Sequence, residues 1–122
     1  MKILIIDDSK AMRTFLRFLV QELAFESVEA EDGCQGIEAL KADPGFEAAL
    51  VDWDMPRMNG LEFVRAVRGN SAFDNLKIMM VTTQTSMEHV AQALAAGATD
   101  FLMKPVSKES LEEKLLVLGV LR

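Results

Sequence analysis

Lys2-Ile3-Leu4-Ile5-Ile6-Asp7-Asp8-Ser9, at the start of the chain, decides the fold. The residues from Ile3 to Ile6 are apolar without alternation, and two carboxylates then cut the run off. A short continuous apolar run suits a strand buried on both faces, the situation inside a parallel sheet. Two more such runs follow, Ala48 to Val51 and Ile78 to Val81. Ser27 to Ala30 and Phe101 to Met103 are weaker strand candidates that periodicity alone does not secure.

Outward from these runs the period changes to that of a helix. Met12, Phe15, Leu16, Leu19 and Leu23 recur at i, i+3, i+4, i+7 and i+11, one stripe of an amphipathic helix. Ile37 and Leu40 give a shorter stripe, and Leu61, Val64 and Val67 another. Met87, Val90, Ala91, Leu94 and Ala95 repeat it with small residues, and Leu111, Leu115 and Leu118 close the chain. Asp8 or Ser9 offers an N-cap to the first helix. Asp43-Pro44-Gly45 stops the second, and Gly97 is a C-cap candidate for the fourth. Strand and helix thus alternate five times. That order implies right-handed crossovers and a doubly wound α/β fold, one parallel sheet with helices on both faces. No internal repeat, low-complexity stretch or linker interrupts it.

At 122 residues the chain fits one domain, residues 1–122. Half the residues are hydrophobic and 26% are charged, a balance that excludes disorder. A net charge of −6 argues against a large nucleic-acid footprint, so no direct nucleic-acid partner is expected. Arg57, Arg65 and Arg68 read as the solvated face of a helix. Cys34, the single cysteine, cannot form an internal disulfide; it points to a reducing cytosol and reads as an inert packed thiol. The opening residues lack the pattern of a secretory signal, and no apolar run approaches bilayer length. A cytoplasmic protein without membrane insertion is expected.

Ligands of an open α/β sheet bind beyond the carboxyl ends of its strands. Asp7-Asp8, Asp52 and Thr82-Thr83 stand directly after the strongest runs, and Lys104-Pro105 after the last. Singly, each has an ordinary explanation: a helix cap, a strand end, a solvated charge. Together that explanation fails, because Asp7, Asp8 and Asp52 gathered at one edge would repel and one Lys cannot balance them. A hard divalent cation can. An oxygen site with open positions suits Mg²⁺, which keeps waters and accepts phosphate oxygens. A carboxylate beside such a cation can act as a nucleophile and form an aspartyl phosphate. Lys104 and a Thr hydroxyl would stabilise the transferring charge.

On these residues the chain resembles the bacterial response-regulator receiver domains of two-component systems, closest to the stand-alone chemotaxis type. The matching blocks are Ile5-Ile6-Asp7-Asp8-Ser9, Val51-Asp52-Trp53-Asp54-Met55-Pro56-Arg57-Met58-Asn59-Gly60, Val81-Thr82-Thr83 and Lys104-Pro105. An Asp-Asp pair alone has no value as a motif. All the blocks in order, each after its strand and spread over essentially the whole chain, are specific.

The resemblance implies a flavodoxin-like (βα)5 fold with strand order 2-1-3-4-5. It implies that Asp52 is the phosphoacceptor, and that Asp7, Asp8, Asp52 and the backbone carbonyl of Asp54 hold Mg²⁺, with Mn²⁺ as a substitute. Thr82 matches the switch hydroxyl, Lys104 the phosphate-contacting lysine, and Phe101 the aromatic that reports the state of the site. The Lys104–Pro105 bond is expected to be cis. The implied partners are a sensor histidine kinase or phosphotransfer domain, a phosphatase, and a downstream protein such as the flagellar motor switch or another effector. With no output domain in the sequence, the signal is expected to leave through the surface of the fourth helix, last strand and fifth helix. The only chemistry expected is the chain's own phosphorylation and slow dephosphorylation.

Asp54 and Gln84, each two residues beyond a site residue, are expected to line the route of hydrolytic water and tune the lifetime of the phosphorylated state. Phe101 lacks a tyrosine hydroxyl, and from the residues alone it reads equally as a core aromatic. Movement of the Thr82 hydroxyl toward the new oxygens is expected to vacate space beneath the fourth helix, where Ala91, Ala95 and Ala96 leave little bulk, and Phe101 is expected to rotate into it. Val117, Val120 and Leu121 favour an interaction surface on the last helix, and His89 reads as a surface residue. Two other readings compete. Asp52-Trp53-Asp54 resembles the nucleophile motif of haloacid-dehalogenase-type phosphatases, but those enzymes need a longer chain and leave Asp7-Asp8 unexplained. A flavodoxin-like binding module would need a Ser/Thr/Gly-rich phosphate loop where Asp7-Asp8-Ser9-Lys10 stands. Fold does not choose between these; the site does.

Overall fold

The computed structural model describes residues 1–53, 55, 57–83 and 87–121. Strands β1 (Lys2–Ile6), β2 (Glu26–Ala30), β3 (Phe46–Asp52), β4 (Lys77–Thr82) and β5 (Asp100–Met103) alternate with helices α1 (Lys10–Glu22), α2 (Gly33–Ala42), α3 (Gly60–Arg68), α4 (Met87–Ala96) and α5 (Lys108–Val117). Every strand pair is parallel, and the order across the sheet is β2-β1-β3-β4-β5. The two weak strand candidates form its edges. There a strand has a neighbour on one side only, and its apolar signal is correspondingly diluted.

The pleat explains why the central strands show no alternation. Ile3, Ile5, Leu50, Met79 and Val81 face α1 and α5, where they meet Leu16, Leu19, Val20, Leu111 and Leu115. Leu4, Ile6, Val51, Ile78 and Met80 face the other way, onto Leu40, Phe63, Val64, Val67 and Ala93. Both faces are therefore core, and each large side chain buried there is worth about 1.5–3 kcal/mol. The helix ends are defined by local chemistry. Ser9 accepts from the Met12 N–H, and Asn59 and Glu62 form a reciprocal capping box at α3. Gly97, with φ of +116°, ends α4 as expected.

Several readings of helix faces need correcting. Phe15 is 43% exposed, and the buried face of α1 carries Arg13 in place of an apolar residue. On α4 the buried residue is Ala93, with Val90 and Ala96 half-buried; Ala91, Leu94 and Ala95 point to solvent. An alanine-rich helix carries nearly the same weak signal on every face, and its buried stripe lies about one residue from the expected one. Val120 is buried and Leu121 packs against the core, because the chain folds back after α5; Leu116 and Val117 are the exposed apolar pair. Cys34 is exposed, not packed.

Arg68 is not on a solvated face either. Its guanidinium is half-buried and donates to the carbonyls of Gly97 at 2.9 Å, Phe73 at 2.8 Å and Leu76 at 2.6 Å. It ties the end of α3 to the start of β4 and the turn after α4, and desolvation lowers its pKa. Among the described residues, no helix is long and apolar enough to cross a membrane.

Candidate functional site

Because the strands are parallel, their carboxyl ends share one edge, and the polar residues that follow them meet there. Asp52 ends β3 and Thr82 ends β4; both are buried. Asp7 follows β1, where its N–H donates to the Ala30 carbonyl at 3.1 Å. One Asp7 oxygen, Oδ1, accepts the Ser9 N–H at 2.9 Å. The Asp7 carbonyl accepts from Arg13 Nη1 at 2.6 Å. That bond explains the buried arginine of α1, which the sequence reading missed; an arginine where the apolar stripe should run was the available signal. Lys104 follows β5, and its N–H donates to the Thr82 carbonyl at 2.9 Å. The Lys104–Pro105 peptide is cis, as expected.

Three carboxylates, those of Asp7, Asp8 and Asp52, each bring an oxygen within 4.8 Å of the others. Lys104 Nζ donates to Asp52 Oδ1 at 3.1 Å and lies 3.8 Å from Asp7 Oδ2. Asp7 Oδ2 is buried and makes no hydrogen bond among the described residues. A buried acceptor is rarely left so, because the loss of its water is uncompensated. Three carboxylates against one ammonium, with one buried oxygen lacking a hydrogen bond, are a donor set that fits a hard divalent cation.

The electrostatics agree. Burial pushes the Asp52 carboxyl above the usual carboxylate range, Asp7 pushes it further, and Lys104 opposes both. Asp7 is raised as well, again chiefly by burial, against the Ser9 N–H and Lys104. Asp32 behaves in the opposite way. It caps α2, and the Gln35 N–H, helped by Arg57, holds its carboxyl below the usual range. Arg57 lies in the loop after β3 and pairs with Asp32, which fastens that loop to α2. Asp54 and Gln84 lie outside the described residues.

Gly60 keeps α3 close to Asp52 at the end of β3. Its N–H donates to the Trp53 carbonyl at 2.9 Å. A Cβ there would lie 2.6 Å from the Asp52 carbonyl oxygen and from Met80 Cε, and 3.0 Å from Trp53 Cα. Two of those three neighbours are backbone. Gly60→Ala is therefore expected to destabilise the protein by about 1–3 kcal/mol and to displace the end of β3. Urea unfolding measures the first effect; a midpoint equal to wild type would show that the backbone gives way freely.

His89 is half-buried and meets Trp53 edge-on, with ring centroids 5.5 Å apart and planes at 81°. It is thus not a plain surface residue: it lines a small void with Thr82, Val90, Ala93 and Phe101. Phe101 is half-buried against the core face that holds α3 and α4. Its two readings, core aromatic and movable reporter, are both compatible with that position.

The sequence pattern of the response regulator receiver domain matches residues 3–116. The chain is 40% identical over 121 residues to chemotaxis protein CheY1 of Helicobacter pylori, covering 98% of each. It is 37% identical over 116 residues to the chemotaxis protein CheY homolog of Campylobacter jejuni, covering 94% of this chain and 89% of that one. Among solved structures, chemotaxis protein CheY4 of Vibrio cholerae superposes with a TM-score of 0.90 at 35% identity, covering 96% of this chain and 97% of the other. With this fold, this strand-end site and these relatives, the chain belongs to the response regulator receiver domains of two-component signalling.

Proposed function

We propose that residues 1–122 form one phosphate-operated switch in which Asp52 receives a phosphoryl group from the phosphohistidine of a sensor kinase or phosphotransfer domain. The observation that carries this reading is the unbalanced cluster of Asp7, Asp8 and Asp52 with a single ammonium, Lys104, against it. An Asp52 carboxylate oxygen attacks phosphorus, the phosphorus–nitrogen bond breaks, and the imidazole leaves with the electron pair. Lys104, already 3.1 Å from Asp52 Oδ1, balances charge on the transferred oxygens, and Thr82 binds one of them through its hydroxyl. Asp7, Asp8, Asp52 and the Asp54 carbonyl would hold Mg²⁺, or Mn²⁺ in its place, which neutralises the carboxylates and offsets the charge of the incoming group.

Asp54 and Gln84 tune hydrolysis, and Phe101 answers the movement of Thr82 by changing the α4–β5–α5 surface. The named relatives are chemotaxis proteins, so the downstream partner proposed here is a flagellar motor switch or a comparable effector, with a phosphatase to end the signal. The phosphatase-enzyme reading of Asp52-Trp53-Asp54 draws no support from the family match, which is to receivers.

Trp53 is the only tryptophan and adjoins Asp52, so its fluorescence tests the reading. Mg²⁺ should change the emission saturably, a chelator should reverse the change, and beryllofluoride with Mg²⁺ should produce a second, distinct signal. An emission indifferent to both additions would sink the proposal.

A further inference from the structure

Phe101 stands between two unlike sets of neighbours. On one side it lines the void shared with Trp53, Thr82, His89, Val90 and Ala93, about 10 Å³ in extent, room for one water at most. On the other side Lys114 of α5 holds its ammonium 5.1 Å from the ring centroid. That ammonium also donates to both oxygens of Asp100, at 3.2 and 3.1 Å. Asp100 Oδ1 in turn accepts the N–H of Phe101 itself at 2.8 Å. The cation is therefore tied to the backbone at the root of the ring it covers.

We propose that Lys114, anchored by Asp100, is a latch that holds the Phe101 ring toward α5 and sets how often the ring turns into the void beside Thr82. The proposal rests on the reading of Phe101 as the movable element of the switch. A ligand or contact shifts a conformational equilibrium only if it is better made in one state than in the other. The contact of Lys114 with the ring meets that condition: turning the ring inward leaves the ammonium to Asp100 alone. A cation over an aromatic face at a partly exposed site shifts such an equilibrium by about 2- to 5-fold.

A second restraint is steric, since the void is too small for a ring until Thr82 or α4 gives way. The two restraints come from different neighbours, the void lining of Thr82 and α4 and the ammonium of Lys114 on α5. Phosphorylation relieves the steric one and leaves the latch in place. The latch therefore changes the inward population by the same factor with and without a phosphoryl group.

Fluorine NMR of protein carrying 4-fluorophenylalanine tests this, the Phe101 resonance being assigned by its loss in Phe101→Leu. Ring burial is read from the solvent-isotope shift, in the absence and presence of Mg²⁺ with beryllofluoride. Lys114→Met keeps the aliphatic length and removes the charge. It should raise the inward-to-outward ratio by about 2- to 5-fold in both conditions. Lys114→Arg, which keeps a cation over the ring, should stay near wild type, and Asp100→Asn should lie between.

The latch is overturned if Lys114→Met matches wild type, or if Lys114→Arg shifts as far as Lys114→Met. The broader switch reading is judged separately. If beryllofluoride leaves the wild-type resonance in place while Lys114→Met moves it and Lys114→Arg does not, the latch stands and the switch falls. If beryllofluoride moves the resonance and Lys114→Met does not, the latch falls and the switch stands.

Discussion

Asp52→Asn protein, incubated with Mg²⁺ and acetyl phosphate, gains no phosphoryl group, where wild type gains one. The amide is nearly isosteric but is no nucleophile at phosphorus, so the loss is complete rather than graded. The same substitution stabilises the metal-free protein, and the sign follows from linkage. The Asp52 and Asp7 carboxyls have folded pKa values raised above their unfolded ones, chiefly by burial. The native state thus binds more protons than the unfolded state. The stability this contributes is fully present below the ordinary aspartate value, about 4, and is lost as pH rises through the raised values. Asp32, held low, works in the other direction: its contribution is present above the ordinary value and is lost as pH falls through its lowered one. Urea midpoints measured with a chelator present should therefore decline above the ordinary aspartate range in wild type and decline less in Asp52→Asn. Parallel profiles for the two proteins would contradict the picture of a strained carboxylate cluster.

Asp8→Ala weakens Mg²⁺ binding by about 100-fold or more, since even a residue one shell removed from a metal is worth about 10- to 100-fold. Asp8 is exposed while Asp7 and Asp52 are buried, so its removal should cost the fold little. Asp7 is less separable. Its carboxylate accepts the Ser9 N–H and its carbonyl is held by Arg13, so changing it also disturbs the start of α1. Isothermal titration of Asp8→Ala with Mg²⁺, paired with a far-UV spectrum, distinguishes lost ligation from lost structure. Wild-type affinity in a folded variant would remove Asp8 from the metal site.

The fold was legible where burial is symmetrical. β1, β3 and β4 lie inside the sheet, so their apolar runs are unbroken and easily read. β2 and β5 lie at its edges, and their signal is weak for that reason. The face of α4 was misread because alanine marks no side. The candidate site was legible because strand order converts spacing along the chain into proximity: the Asp7-Asp8 pair, Asp52 and Lys104 are far apart in sequence and meet at one sheet edge. What stayed hidden depends on partners from other elements. Nothing in the sequence around Arg68 announces three carbonyls from the turns that surround it. Nothing near His89 announces Trp53, and nothing near Lys114 announces the Phe101 ring.

Mapping the modified residue tests the central claim most directly. Protein treated with acetyl phosphate and Mg²⁺ is weighed intact, then fragmented to find the residue that carries the phosphoryl group. The account predicts one group, labile to base, located on Asp52 and absent when a chelator replaces Mg²⁺. A group mapped to a Ser, a Thr or His89, or equal labelling with the metal removed, would contradict it.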